Sequence, residues 1–250
     1  MGNTFPTNVS FYEYDPVANS YARQTSPTGG LIITNIPAFR TSMLCLPDGN
    51  VLVSAEGNQV YVYQPGAVPL AAGKPTISSI TANANGSYHL AGTRLNGLSA
   101  GAAYGDDEQM DSNYPLVRLT DGGGNVFYAR TIYWSSTGVA TGNKPVSTKF
   151  ILPVNVFLNG AQSYSLEAVA NGIASHPVTF YGPVWVDLNN PFPFQFGTFD
   201  FPYHTLAQGT NAVPSTGTIN FKTAGSIPSP MTLTKPMTIV AVGGPVTIGQ

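Results

Sequence analysis

The densest group of possible metal ligands in this chain is an acidic cluster with an amide beside it: Asp106, Asp107, Glu108, Asp111 and Asn113. Ca²⁺ takes about six to eight oxygen ligands, so Asp106, Asp107 and Asp111 form a candidate calcium site. Their spacing does not match an EF-hand loop. The same residues could instead cap turns, pair with Arg118 or Arg130, or pack a loop against a neighbouring domain.

Aromatic side chains form a second candidate group. Tyr128, Tyr133 and Trp134 lie on or beside one predicted strand, Val126–Ile132. A flat exposed ring can cover the apolar face of a sugar. In a regular strand Tyr128 and Trp134 share one face, and Tyr133 takes the other. Tyr128 and Trp134 are therefore candidate glycan-binding residues, and packing of these rings in a core is the alternative.

Copper chemistry needs imidazole or thiolate groups that converge on one point. His89, His176 and His204 fall in separate segments without a short ligand spacing. Cys45 lies in an apolar run, which predicts a buried thiol that packs as a small hydrophobe. The adjacent carboxylates of the acidic cluster would point in different directions, which argues against glycoside hydrolysis. The sequence therefore predicts no catalytic residue and no copper site.

Composition narrows the class of protein. Charged residues make up 9% of the 250 positions, whereas about 25% is usual, and the chain contains 27 Gly and 21 Pro. This profile is typical of turn-rich β structure. The formal net charge of −2 with ten scattered Lys and Arg gives no basic surface for nucleic acid. No window approaches the roughly 18 apolar residues of a membrane span, and no signal peptide begins the chain, so we expect no membrane insertion.

Short alternating runs separated by turns extend over the whole chain and predict an all-β protein. The runs fall into three groups, with one short helix predicted within 202–213. The predicted strands are 10–14, 41–46, 50–54 and 59–63; then 76–80, 87–91, 116–120, 126–132, 147–151 and 163–168; and finally 184–188, 217–221, 231–234, 237–241 and 246–248.

The first two groups resemble a known arrangement of domains. The phrases YEYDP…NSY and LPDGNVLVS…NQVYVYQP in 1–66 resemble the closing part of a kelch propeller. The phrases YGDDEQMDSNYPLVRLT, NVFYARTIYW and YSLEAVANGIASHPV in 75–180 resemble the immunoglobulin-like early-set β-sandwich that follows the propeller in galactose-oxidase-like proteins. The resemblance implies a partial propeller blade followed by a sandwich.

That family also carries a functional expectation. In its copper oxidases, a loop after the strand that matches Val126–Ile132 carries a copper-binding histidine, and here the loop reads WSSTGV. The remaining copper ligands of the family belong to propeller blades that match nothing in this chain. The resemblance therefore implies that the chain has no copper oxidase activity of its own.

The C-terminal segment 197–250 resembles the start of a right-handed parallel β-helix, on the phrases GTINFKTAGS, TLTKPMTIVAVGG and PVTIG. Segment 181–196 is predicted as a linker, and the apolar stretch NNPFPFQFGTFDF is expected to pack on the C-terminal residues after it. One blade and one or two rungs do not bury their own apolar faces. We therefore expect a fragment of a larger protein, with contacts to missing propeller blades and β-helix rungs.

Two function classes agree with these observations. The first is a non-catalytic segment of a large secreted or surface-attached protein, which serves as a scaffold, in adhesion or in binding a polysaccharide or cell-surface glycan. The second is a fragment of an extracellular carbohydrate-active enzyme whose catalytic residues lie outside this chain. Both imply an extracellular or cell-surface location, and calcium is the one cofactor that the residues leave open.

Overall fold

A computed structural model describes residues 9–24, 36–55, 57–66, 68–98, 114–158, 163–182 and 184–250. These residues are mostly β-strands joined by short turns, and the all-β class predicted from the sequence is confirmed. Within the described ranges, no helix combines the length and the apolar character needed to cross a membrane.

The N-terminal part consists of an antiparallel hairpin and a three-stranded antiparallel sheet. Its strands are β1 (Phe11–Asp15) and β2 (Ser20–Gln24) in the hairpin, and β3 (Thr41–Cys45), β4 (Val51–Ala55) and β5 (Val60–Tyr63) in the sheet. Asp15 closes the hairpin turn, because its Oδ1 accepts hydrogen bonds from the main-chain N–H groups of Val17 (2.8 Å) and Ala18 (3.1 Å). The two pieces are joined side chain to side chain by a hydrogen bond from Tyr63 to Glu13 (3.0 Å).

The central part is one eight-stranded antiparallel sheet that curls like half a barrel. Its strands are β6 (Thr76–Ala82), β7 (Tyr88–Thr93), β8 (Leu116–Asp121), β9 (Val126–Ile132), β10 (Pro145–Phe150), β11 (Ser163–Ala170), β12 (Ile173–Ala174) and β13 (Val178–Tyr181). They run across the sheet in the order β12-β11-β8-β9-β10-β7-β6, and β13 pairs with β11. A short helix, α1 (Val154–Leu158), lies between β10 and β11.

Alternation along these strands separates an inner from an outer face. In β9 the positions of Ala129 and Thr131 are buried, whereas Tyr128 and Ile132 are exposed. The inner face holds the main hydrophobic core, which contains rings from three strands packed together: Tyr88 stacks on Phe150 (5.2 Å between centroids) and meets Phe180 edge-on (5.3 Å). The outer face is left for other contacts.

The C-terminal part is parallel. Its strands are β14 (Val184–Val186), β15 (Thr218–Phe221), β16 (Gly225–Ile227), β17 (Thr238–Ala241) and β18 (Val246–Ile248), with one helix, α2 (Leu206–Ala212). The chain stacks β17 on β15 and β18 on β16, and β14 pairs with β15 on its other side. Thr218 pairs with Thr238, so one stacked turn takes 20 residues (238 minus 218). A second core of aliphatic side chains with Phe221 lies between these strands and α2.

Phe199 connects the central and C-terminal parts. Its ring meets the buried Trp185 edge-on at 4.9 Å and lies against Gly86 in the β6–β7 turn. Lys222 lies over the same ring, with Nζ 4.3 Å from the centroid, and donates a hydrogen bond to the Phe199 carbonyl (2.8 Å). The Phe199 ring thus contacts the β6–β7 turn of the central sheet as well as Trp185 and Lys222 of the parallel part.

Several local predictions were wrong. Residues 231–234 form no strand. The short helix predicted within 202–213 is present as Leu206–Ala212, but it begins only after Thr205, which caps it. The Phe-rich stretch packs only in part, since Phe192, Phe194, Phe196 and Phe201 stay exposed. The sequence also did not predict β2, β12, β13 and β16. The domain boundaries 1–66, 75–180, 181–196 and 197–250 stay predictions, although the strand β14 within the expected linker pairs with β15.

Candidate functional site

A row of three side chains crosses the outer face of the central sheet. Register pairs Glu167 of β11 with Arg118 of β8, and Arg118 with Tyr128 of β9. The Arg118 guanidinium holds the Glu167 carboxylate through Nε (2.8 Å) and a terminal nitrogen (2.7 Å), both to Oε2. Tyr128 is 42% exposed beside this ion pair. The row therefore presents an aromatic ring next to a fixed pair of charged hydrogen-bonding groups.

Arg118 stays charged in this row. Partial burial lowers the pKa of Arg118, but the hydrogen bond and charge of Glu167, followed by Tyr128, outweigh that effect, so the pKa is raised above its usual value. Because the pair is partly exposed, its contribution to the stability of the fold is modest. Its main effect is geometric, since the carboxylate fixes the guanidinium beside the tyrosine ring.

Tyr133 lies at the end of the same outer face. Strand β9 ends at Ile132, and Tyr133 follows with a φ of 54°, in the left-handed region. Lys149, whose register partner is Ile132, lies 5.5 Å from the centroid of the Tyr133 ring. The ring is 76% exposed. Tyr133 therefore presents an open aromatic surface next to a second cation.

Trp134 is held differently. Its indole Nε1 donates to the hydroxyl of the buried Thr131 (2.9 Å), and that hydroxyl donates in turn to the Pro115 carbonyl. Its ring lies 5.5 Å from that of Tyr114 and is 39% exposed. The indole nitrogen is thus already occupied, and the ring has a fixed orientation at the end of β9.

The expected alternation of side chains between the two faces does not extend to Trp134, because strand β9 ends at Ile132. The left-handed residue Tyr133 turns the chain, so that Tyr133 contacts the outer-face residue Lys149 and Trp134 bonds to the inner-face residue Thr131. Tyr128 and Tyr133, rather than Tyr128 and Trp134, lie towards the same face. None of the three rings is buried, so core packing does not account for them.

The loop after Trp134 is fixed by hydrogen bonds. The buried Asn96 side chain donates to the carbonyls of Ser136 (2.5 Å) and Gly138 (3.2 Å), and Ser135 exchanges two hydrogen bonds of 2.8 Å with Ser147 of β10. The sequence resemblance, which stays a prediction, matches this loop with one that carries a copper-binding histidine in galactose-oxidase-like copper oxidases. Here its polar groups are used to hold the loop against the sheet.

The remaining candidate ligands stay apart. Among the described residues, no three His, Cys, Asp or Glu side chains come close enough to hold a metal ion. His89 lies in β7, His176 lies between β12 and β13, and His204 precedes α2, where its Nε2 is 2.9 Å from the Phe192 carbonyl oxygen. Cys45, predicted to be buried, is only partly buried at the end of β3.

The calcium candidates Asp106, Asp107 and Asp111 lie outside the described residues. An ion pair between this cluster and Arg118 or Arg130 stays a prediction for that reason, and within the described residues Arg118 pairs with Glu167. That partner was missed because Glu167 is 49 positions away in the sequence. The signal that could have found it is the register of β8 against β11, which the sequence does not display.

Comparison with models of known protein families gives no match for this chain. A search of curated proteins likewise finds no matching relative. Conclusions about function therefore rest on the geometry of the described residues.

Proposed function

We propose that the outer face of β8–β11 is a glycan-binding surface and that the chain serves as a non-catalytic scaffold or adhesion segment of an extracellular or cell-surface protein. The observation that carries this proposal is the row Glu167–Arg118–Tyr128, in which an exposed ring lies beside a fixed ion pair. Rings that cover a sugar face, combined with a few placed polar groups, are the usual elements of such a site.

The dimensions of this face suit an extended ligand. Tyr128 and Ile132, the last outer-face residue of β9, are four residues apart, which corresponds to about 13 Å along a strand. Tyr133 continues the surface beyond that point. A ligand of more than one sugar ring can therefore contact Tyr128 at one end and Tyr133 at the other.

The charge on this face favours an acidic glycan. The described outer-face positions of β8–β11 carry three cations, Arg118, Arg130 and Lys149, and one carboxylate, Glu167, which leaves a local excess of two positive charges (three minus one). The chain as a whole has a net charge of −2. A local excess of the opposite sign would guide a carboxylated polysaccharide to this face.

The surface is also pre-organised. Glu167 holds Arg118, Thr131 holds the Trp134 indole, and Asn96 holds the loop after β9. Groups that are already ordered lose little conformational freedom when a ligand binds, which favours affinity.

The proposal extends to the origin of the three parts. We identify the N-terminal strands with part of a kelch-type blade, the curled sheet with an immunoglobulin-like early-set domain, and the stacked parallel strands with the first rungs of a parallel β-helix. The antiparallel order of β3–β5 and the 20-residue parallel repeat of β15 on β17 support these assignments. Stacked repeats of the solenoid kind form extended binding surfaces.

Binding to immobilised polygalacturonate and to its methyl ester tests the glycan proposal, since methyl esterification removes the negative charge of each carboxyl group and keeps the sugar backbone. We expect the charged polymer to bind, and Tyr128→Ala and Tyr133→Ala each to weaken binding by about tenfold. Tyr21→Ala is the matched control, because Tyr21 is 71% exposed and lies in the β1–β2 hairpin, which is not part of the central sheet. The proposal would be refuted if the chain bound none of a panel of acidic and neutral polysaccharides, or if the Tyr128→Ala, Tyr133→Ala double variant bound as tightly as the parent chain.

A further inference from the structure

A separate groove lies in the N-terminal part, between the β1–β2 hairpin and one face of the β3–β4–β5 sheet. Its volume is about 290 Å³, close to the lower end of the range for small-molecule sites. Phe11, Glu13 and Gln24 line it from the hairpin, and Met43, Val53 and Tyr63 line it from the sheet. The groove is therefore built from two pieces of β structure that are far apart in sequence.

Strand register explains why these side chains meet. Phe11 pairs with Gln24 across the hairpin, and Glu13 follows Phe11 by two positions, so all three point to one side. In the sheet Met43 pairs with Val53, which is fully buried and forms the floor. The result is a floor of aliphatic and thioether groups with aromatic rings at the walls.

One carboxylate is held inside this apolar groove. Glu13 Oε2 accepts hydrogen bonds from Gln24 Nε2 and from the Tyr63 hydroxyl, each 3.0 Å long. Burial, followed by the hydrogen bond and the charge of Glu13, raises the pKa of Tyr63, so the phenol stays protonated and donates. Among the described residues that line the groove, Glu13 is the one that carries a charge.

We infer that this groove binds an organic cation with a compact apolar body, of the quaternary or alkyl ammonium class. A positive charge near aromatic faces gains cation–π attraction, and the gain is larger where water is displaced. The Glu13 carboxylate adds direct Coulomb attraction in a half-buried position. The apolar floor suits methyl or methylene groups around the charge.

Other ligand classes fit these groups less well. An anion would meet an uncompensated carboxylate. A sugar would need several hydrogen-bond partners, but the polar side chains in the groove already bond to each other. This inference is independent of the proposed glycan surface, because the two sites share no residue.

Calorimetry or ligand-observed NMR on the full chain tests the inference with choline as the probe and 3,3-dimethylbutan-1-ol as its uncharged isostere. We expect choline to bind with a dissociation constant of about 1 mM, and the isostere to bind at least about tenfold more weakly. Equal binding of the two compounds, or no choline binding at about ten times that concentration, would overturn the inference.

Two variants of the groove and one control complete the test. Glu13→Gln keeps the size of the side chain and should weaken choline binding by about tenfold, whereas Asp200→Asn at an exposed position of the C-terminal part should leave it unchanged. Met43→Lys places a cation at a 48% exposed position on the groove, where the ammonium group can reach water, and should abolish binding. If both groove variants fold and bind choline as the parent chain does, the site is not the one described.

Discussion

The substitution Gly86→Ala tests the contact between the central and C-terminal parts. Gly86 closes the β6–β7 turn with a φ of 80°, and an added Cβ would lie 2.5 Å from Cγ of the Phe199 ring. Gly124 provides a matched control in the β8–β9 turn. Its φ is 84°, its N–H also bonds to the carbonyl three residues earlier, and an added Cβ there meets nothing within 4 Å.

The two substitutions share one cost and differ in another. Alanine in the left-handed region costs about 1–2 kcal/mol at either position. At position 86 the Cβ would also lie about 1 Å closer to the Phe199 ring than an ordinary carbon–carbon contact allows. Such overpacking costs about 1–3 kcal/mol. We therefore expect Gly86→Ala to destabilise the chain by about 2–5 kcal/mol, and Gly124→Ala by about 1–2 kcal/mol.

Urea unfolding of the parent chain and both variants, followed by tryptophan fluorescence, measures the difference. Trp185 reports on the contact directly, because its ring meets Phe199. In the Phe199→Ala background, Gly86→Ala should no longer show the steric cost of the clash, since the ring that the Cβ meets is absent. Equal destabilisation by Gly86→Ala and Gly124→Ala would show that Phe199 does not pack on the β6–β7 turn in solution, and the described contact would be wrong.

Two further predictions concern single side chains. The buried Tyr88 hydroxyl has no well-formed hydrogen bond within the described residues, and burial raises the pKa of Tyr88 above 10.0 despite an opposing interaction with Trp185. Ionisation of Tyr88 should therefore cost no stability below pH 10.0, and the free energy of unfolding should fall as the pH rises above that value, because Tyr88 ionises first in the unfolded chain. In alkaline melts Tyr88→Phe should flatten this fall, and it should leave stability at neutral pH equal or higher. A steeper fall in the variant would contradict this. Thr205 and Gln208 form a capping box at the start of α2. In urea unfolding Thr205→Ala should therefore lower the free energy of unfolding by about 1 kcal/mol, whereas Thr210→Ala in the middle of the helix should lower it by almost nothing. Equal losses in the two variants would count against the cap.

The sequence predicted strands best where one face is buried and turn chemistry marks both ends. The bounds of β9, Val126–Ile132, were predicted without error, because its alternation is regular and Gly124 precedes it. By contrast β2 was missed, since four of its five residues are exposed and no alternation appears. An exposed hairpin strand carries no hydrophobic pattern for sequence reasoning to detect.

The candidate site was predicted only in part, for two physical reasons. Tyr128 was correctly placed on a strand, but Tyr133 adopts a left-handed φ that tyrosine seldom takes, and this turn separates Trp134 from the outer face. The neighbour of Tyr128, the Arg118–Glu167 pair, depends on the register of three strands. Register is set by tertiary packing over long sequence separations, and a single sequence does not show it.

Because β17 stacks on β15 in parallel, the C-terminal part can gain residues without losing its core only in whole turns. Thr218 pairs with Thr238 and Gly225 with Val246, so the turns measure 20 and 21 residues at these two positions (238 minus 218, 246 minus 225). Inserting one whole turn of similar length would leave every inward side chain inward. Inserting a single residue within a strand would exchange its inner and outer positions. Duplication of a complete turn is therefore the change in length by which such a segment can grow without loss of its core.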